Sequence, residues 1–136
     1  VATDSVDLAV FNASLHYSTD LPVTLAEAAR VVRSGGRIAI LDSPFYASEE
    51  GGRAMVAEKH AAAASRFGDR AESLLALPFI EFLTRERLEE ASALLALRWR
   101  RRRIAYPLWY ELRPLAALFR RRRMPSRFDL WVAEVR

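Results

Sequence analysis

The sequence has no cysteine, and this absence excludes disulfide frameworks, zinc sites built on thiolates and cysteine nucleophiles. It also lacks any apolar run near the roughly 18–20 residues that a membrane-spanning helix needs, so we expect no membrane partner. No basic stretch followed by an apolar one opens the chain at Val1, so we expect no secretory signal and a cytoplasmic location. We expect no metal site. Glycine is scarce, with five residues, and none of them forms a GxGxG pattern.

The composition favours a folded domain, because 51% of the 136 residues are hydrophobic and 28% are charged. Charge is unevenly spread along the chain. Residues 98–136 contain twelve arginines against Glu111, Asp129 and Glu134, whereas residues 1–97 carry a net negative charge. Such asymmetry indicates either a surface that binds phosphate groups or a solvated basic face that binds nothing.

Two short apolar runs flank a helical pattern near the start of the chain. Residues 6–11 and 37–42 each indicate a strand buried on both faces, and residues 22–33 repeat apolar side chains at helical spacing. Gly35 and Gly36 are predicted to end the helix in a left-handed cap. A strand, a helix and a second strand at this spacing predict adjacent parallel strands joined by a right-handed crossover.

The remaining elements are predicted from capping residues, prolines and apolar periodicity. Helices are expected over 47–67 with Gly68 as the cap, from Thr84 onward, and over 108–123 with a break at Pro114; strands are expected over 99–106 and 128–135. In the last strand, alternation places Trp131 and Ala133 on one face and Leu130 and Val132 on the other.

Polar and aromatic residues follow both parallel strands, at residues 12–17 and 42–46. Ligands bind outside the carboxyl ends of the strands in open α/β sheets. The two segments are therefore expected to lie side by side and to form the functional site.

At these residues the chain resembles class I S-adenosylmethionine-dependent methyltransferases. Residues 4–17, DSVDLAVFNASLHY, resemble the motif of that family's fourth strand. Residues 25–37 resemble its next helix, with an acid, a later arginine and a terminal Ser-Gly-Gly. Residues 82–88 resemble the start of its last helix, and residues 128–136 resemble its closing strand.

The resemblance implies an α/β, partial Rossmann-like sheet in which strands 6–11 and 37–42 are parallel. The last strand, 128–135, then runs antiparallel beside the second of them, with strand 99–106 at the edge. Residues 47–83 lie where related enzymes carry insertions that cover the substrate; the alternative is a helical cover over an apolar sheet face.

The family holds its cofactor with a glycine-rich loop and an acid after its first two strands, and neither is present here. Residues 1–136 are therefore expected to be a single partial domain, the C-terminal half of a methyltransferase. The implied function is S-adenosylmethionine-dependent methyl transfer to a small-molecule acceptor, inactive in this fragment alone. Self-association through the exposed edge of strand 6–11 is also expected.

The resemblance also assigns the site residues. The cofactor-binding residues are Asn12, Ala13, Ser14 and Leu15, the catalytic base is His16, and the substrate-binding residues are Tyr17, Phe45 and Tyr46. Each assignment has a structural alternative: Asn12 and Ser14 cap a turn, His16 is hydrogen-bonded in a loop while proximity alone drives catalysis, and the aromatic residues pack in the core. His60, in the alanine-rich helix, is assigned no role.

Two other classes of function remain open from the sequence. One is an arginine-rich nucleic-acid-binding α/β module, indicated by the runs 100–103 and 120–123. The other is half of a different Rossmann-like enzyme, such as a dehydrogenase, whose nucleotide fingerprint would also lie upstream.

Overall fold

The computed structural model describes residues 1–136, apart from the side chain of Leu74. In chain order the strands are β1 (Val6–Asn12), β2 (Val32–Leu41), β3 (Phe45–Tyr46), β4 (Leu83–Thr84), β5 (Arg100–Arg102) and β6 (Leu130–Glu134). The helices are α1 (Leu21–Val31), α2 (Glu49–Phe67), α3 (Ala71–Leu75), α4 (Arg85–Ala91), α5 (Leu108–Glu111) and α6 (Arg113–Phe119). Short turns of 3-10 helix span Leu15–Tyr17, Gly68–Arg70 and Ala93–Leu95.

Four strands form the main sheet in the order β1-β2-β6-β5, and β3 and β4 form a small parallel pair beside it. Strands β1 and β2 are parallel, with Val10 opposite Ala39, and α1 connects them. Strand β6 runs antiparallel to β2, and β5 pairs antiparallel with β6 at the edge. The predicted α/β sheet, with its antiparallel last strand, is confirmed.

The connection between α1 and β2 differs from the prediction. Helix α1 begins at the cap Asp20, whose carboxylate accepts a hydrogen bond from the Val23 amide at 2.9 Å, but it ends at Val31 rather than at the glycines. Gly35 and Gly36 lie inside the irregular first half of β2. A Cβ on Gly36 would lie 2.9 Å from the Asp7 carbonyl oxygen, so this glycine permits a close strand approach rather than a helix cap.

The core lies on one face of the sheet, beneath α1 and α4. Ile38 and Ile40 of β2 and Trp131 of β6 are buried there with Leu25 of α1 and Leu88 of α4. The alternation predicted for the last strand is confirmed, since Trp131 is buried while its neighbours along β6 are only half-buried.

The opposite face of the sheet is open, and this corrects the prediction that strand 6–11 is buried on both faces. Leu8 and Val10 of β1 are 53% and 47% exposed. Strand β1 is also the edge strand of the sheet. An apolar run is typical of a central strand, but α1 and α4 pack only on the face that carries Ile38 and Ile40.

The helical predictions for the second half of the chain are largely confirmed. Helix α2 ends at Gly68, which has the positive φ of 53° expected for its cap, and Thr84 accepts a hydrogen bond from the Arg87 amide at the start of α4. The segment near Pro114 divides into α5 and α6. Among the residues that the structure describes, no helix is both long enough and apolar enough to cross a membrane.

Candidate active site

The carboxyl ends of β1 and β2 meet at one edge of the sheet, as the parallel arrangement requires. Each strand is followed by a non-glycine residue in the left-handed region, Ala13 with φ 49° and Asp42 with φ 47°. The Ala13 amide donates a hydrogen bond to the Leu41 carbonyl oxygen at 3.0 Å and ties the two ends together. Left-handed backbone is unfavourable for alanine and is often found where a ligand binds.

The residues assigned to the cofactor occupy the last position of β1 and the turn after it. The side chains of Asn12 and Ser14 are exposed, and Ser14 makes no side-chain cap bond to the 3-10 turn that it precedes. The capping alternative is therefore not observed for Ser14. Leu15 is 1% exposed and packs in the core beside Leu21 and Leu25, so its side chain anchors the turn and only its backbone is available to a ligand.

His16 lies in that turn and lines a cavity of about 270 Å³. Burial lowers the pKa of His16 below its usual 6.5, and the nearby positive charge of Lys59 lowers it further. Its Nδ1 atom is buried, and no group among the described residues hydrogen-bonds to it. A neutral imidazole with an unsatisfied nitrogen has the properties of a general base.

The walls of the cavity are mainly aromatic. Tyr17 contacts Phe79 edge-on, with ring centroids 5.4 Å apart, and Tyr46 and Phe128 also line the cavity. Tyr17 also lies against His16, at 4.2 Å between ring centroids. Two of the three residues assigned to the substrate therefore lie at the same cavity as His16.

Phe45, the third, lies elsewhere. Its side chain is buried and stacks on Trp131, with ring centroids 4.7 Å apart, and its backbone pairs with Arg127. This position matches the alternative of core packing, and Phe45 supports its neighbour Tyr46 rather than lining the cavity.

Sequence reasoning missed an ion pair at the cavity. Lys59 Nζ of α2 lies 2.6 Å from Glu81 Oε1, and the Glu81 amide donates to the His16 carbonyl oxygen at 2.9 Å. Met55, one helical turn before Lys59, also lines the cavity. One signal was present in the sequence: Lys59 is the single lysine among 21 basic residues.

The arginine run at residues 100–103 is partly neutralised within the domain. Arg101 pairs with the buried carboxylate of Asp129, and Arg103 pairs with Glu111. Hydrogen bonds from Arg127 and Arg103 lower the pKa of Glu111 from its usual 4.5 to about 2. Among the described residues, no cluster of carboxylate or histidine side chains has the geometry of a metal site.

Comparison with known proteins supports the assignment of the family. Residues 1–40 match the family model described as a methyltransferase domain. The YcgJ protein of Bacillus subtilis has a similar structure, with a TM-score of 0.56 and 15% identity over 100% of this chain and 66% of that one. The complex between the Haloferax volcanii Trm112 methyltransferase activator and a proposed methyltransferase also matches, with a TM-score of 0.54, 18% identity, 98% of this chain and 56% of that one. No curated protein matches the chain.

The matched segment includes β1, the turn that carries His16, and the crossover to β2. Residues 1–40 are therefore similar to a methyltransferase domain, and this similarity and the fold agree with the family predicted from the sequence. The chain spans only 66% and 56% of the two similar structures.

Proposed function

We propose that this chain is the C-terminal part of an S-adenosylmethionine-dependent methyltransferase that acts on a small-molecule acceptor. The family match and the sheet order support methyl transfer. The partial coverage of the similar structures supports a longer functional protein, in which further chain supplies the glycine-rich loop and the ribose-binding acid.

The observation that carries the proposal is the placement of His16. Its imidazole lines a cavity directly after the strand that the family model matches, its pKa is lowered, and its Nδ1 lacks a partner within the described part of the chain. His16 is thus suited to take a proton from an acceptor hydroxyl as the oxygen attacks. The bound cofactor supplies the electrophilic methyl group.

The turn after β1 fits the methionine end of the cofactor. Asn12 and Ser14 present an amide and a hydroxyl to solvent, and these groups can hydrogen-bond to the charged amino and carboxylate ends of a methionine. The buried Leu15 side chain holds this turn in place. Backbone carbonyl oxygens of this turn would favour the positive sulfonium group of a bound cofactor.

The size of the cavity supports a small acceptor. Small-molecule sites commonly measure about 300–1,000 Å³, and this cavity of about 270 Å³ lies just below that range. Tyr17 and Tyr46 provide apolar contact area, and helix α2 covers the cavity with Met55 and Lys59. These contacts orient an acceptor toward His16.

The test uses the protein joined to its upstream segment, incubated with S-adenosylmethionine and a panel of small alcohols, phenols and amines. Formation of S-adenosylhomocysteine is measured. We expect His16→Ala to lower turnover by about 10²–10⁴-fold, as for a lost general base. The matched control is His60→Ala, because His60 is exposed on α2 away from the cavity.

Unchanged turnover in His16→Ala would leave orientation alone as the source of catalysis. Calorimetry tests the cofactor site separately. We expect the 136-residue chain alone to bind S-adenosylmethionine weakly or not at all, and tight binding would show that the cofactor site has been misplaced.

A further inference from the structure

Helices α5 and α6 carry an apolar stripe that faces solvent. Leu108, Leu112, Leu115 and Phe119 follow one another at intervals of four, three and four residues, which places them on one helical face. Their exposed fractions are 74%, 45%, 52% and 86%. A helix on a protein surface normally turns such a stripe toward the core. Here the orientation is reversed.

The apolar stripe faces solvent because the opposite face of these helices packs against the domain. Ala117 is buried, and Tyr110 packs against Tyr106 with ring centroids 4.2 Å apart. The Leu112 amide donates to the Leu108 carbonyl oxygen at 3.0 Å, so the helical path is nearly continuous across the junction of α5 and α6. The small and aromatic residues thus fix the helices to the domain and leave the leucines outside.

Three arginines follow the last residue of the stripe directly in the sequence. Arg120, Arg121 and Arg122 are exposed, and none of them has a carboxylate partner in the described part of the chain. Arg123 turns back toward the domain, where it pairs with Glu58 at 2.7 Å and its guanidinium carbon lies 5.6 Å from the centre of the Tyr46 ring. Trp109, 70% exposed, flanks the stripe at its beginning.

We propose that this surface, formed by the stripe, Trp109 and Arg120–Arg122, docks on the face of an anionic lipid bilayer. Exposed leucine and phenylalanine side chains enter the boundary between headgroups and acyl chains, where tryptophan is also favoured. Neighbouring arginines pair with the phosphates of anionic lipids. This proposal departs from the expectation of no membrane partner, which rested only on the lack of an apolar run long enough to span a membrane.

The dimensions require that the helices lie on the membrane. From Leu108 to Phe119 the path is about 18 Å long at roughly 1.5 Å per residue, well short of the ~30 Å hydrocarbon core. A nucleic acid is a poorer fit, because four adjacent aliphatic and phenyl side chains would remain in water beside the phosphates. An anionic bilayer surface offers phosphates to the arginines and an apolar boundary to the stripe at the same time.

Vesicle co-sedimentation of the full chain tests the proposal. We expect binding to mixed phosphatidylcholine and phosphatidylglycerol vesicles, weaker binding as salt is raised, and little binding to phosphatidylcholine alone. The double variant Leu115→Glu with Phe119→Glu should lower the partition coefficient by about 100-fold or more. Both positions are exposed, so folding should be retained, as checked by circular dichroism.

The control is Leu94→Glu, because Leu94 is fully exposed but lies outside this surface, in the 3-10 turn after α4. It should bind vesicles like the parent chain. A second readout is the blue shift of Trp109 emission on adding anionic vesicles, since Trp131 is buried and Trp99 half-buried. This shift should disappear in Trp109→Phe.

Three results would overturn the proposal. One is the absence of binding to anionic vesicles, and another is an equal loss of binding in Leu94→Glu. The third is a double variant that turns a dimer into a monomer but binds vesicles unchanged, which would assign the surface to contacts between copies. None of these results bears on S-adenosylmethionine binding, so the proposed methyl transfer is tested separately.

Discussion

Two adjacent glycines at the start of α2 provide a matched test of the packing that holds the candidate site together. Gly52 is buried, and a Cβ added to it would lie 2.1 Å from two atoms of the Phe82 ring. Gly51 has room, since the nearest atom to its added Cβ is Ser48 Oγ at 3.5 Å. The Phe82 ring is held in place by the Arg87 guanidinium, 4.0 Å from its centre, so it cannot move away easily.

The two alanine variants separate helix propensity from steric clash. Replacing glycine by alanine inside a helix favours folding by up to about 1 kcal/mol, and this gain is similar at both positions. Overpacking a well-filled core costs about 1–3 kcal/mol. We therefore expect Gly51→Ala to be stabilised slightly and Gly52→Ala to be less stable than Gly51→Ala by about 1–3 kcal/mol.

Urea and thermal unfolding, followed by far-UV circular dichroism, measure this difference. For a domain of this size it corresponds to a gap of about 3–12 °C between the two melting temperatures. Because Lys59 lies two helical turns after Gly52, displacement of α2 should also weaken its ion pair with Glu81. Equal stability of the two variants would refute the close contact between α2 and Phe82, and with it the cover assigned to α2.

Four further predictions address the site, the ion pairs and the sheet edge. In the protein joined to its upstream segment, Asn12→Ala should weaken S-adenosylmethionine binding by about 0.5–1.5 kcal/mol in calorimetry, and unchanged affinity would remove Asn12 from the cofactor site. Lys59→Met removes a positive charge that lowers the pKa of His16, so the acid limb of the pH–rate profile should move to higher pH; a fixed limb would show that His16 does not control it. The Glu111 carboxyl has its pKa lowered to about 2 from 4.5, so it stabilises the fold above pH 4.5 and this contribution is lost as pH falls toward 2. Urea titrations should find Glu111→Gln less stable at neutral pH and less sensitive to pH in that window, and parallel pH curves for variant and parent would contradict this. Val10→Lys, at the exposed edge strand, should reduce self-association in sedimentation velocity, whereas association equal to the parent's would place the contact elsewhere.

The parallel pair, the crossover helix and the last strand were predictable because their signals are local. Asp20 caps α1, and the alternation around Trp131 gives the inward face of β6 directly. The end of α1 was not predictable in the same way. Gly35 and Gly36 match a helix cap in composition, but the need for a glycine there comes from the approach of β1, a contact distant in sequence.

In the candidate site, too, features with local signals were predictable and contacts between distant residues were not. The turn from Asn12 to Tyr17 follows a recognisable strand, so its position at the sheet edge was predictable. The Lys59–Glu81 pair joins α2 to a residue 22 positions later, and no periodicity links the two. Burial on both faces of β1 was predicted wrongly because an apolar run is typical of a covered strand, while coverage itself depends on where the helices pack.

The surroundings of the tail arginines argue against the alternative that this chain binds nucleic acid. Binding a single strand requires unpaired cations beside aromatic rings that are free to stack on bases. Arg101 is instead paired with the buried Asp129. The aromatic residues beside it are engaged within the domain, since Trp99 donates to Ser92 Oγ at 2.9 Å and Tyr106 donates to a backbone carbonyl at 2.8 Å. Of the tryptophans, Trp109 alone is largely exposed among the described residues, and it flanks the leucine stripe of α5 and α6. The unpaired Arg120–Arg122 therefore accompany an apolar surface rather than a stacking platform, which favours a bilayer over a nucleic acid as the partner of these three residues.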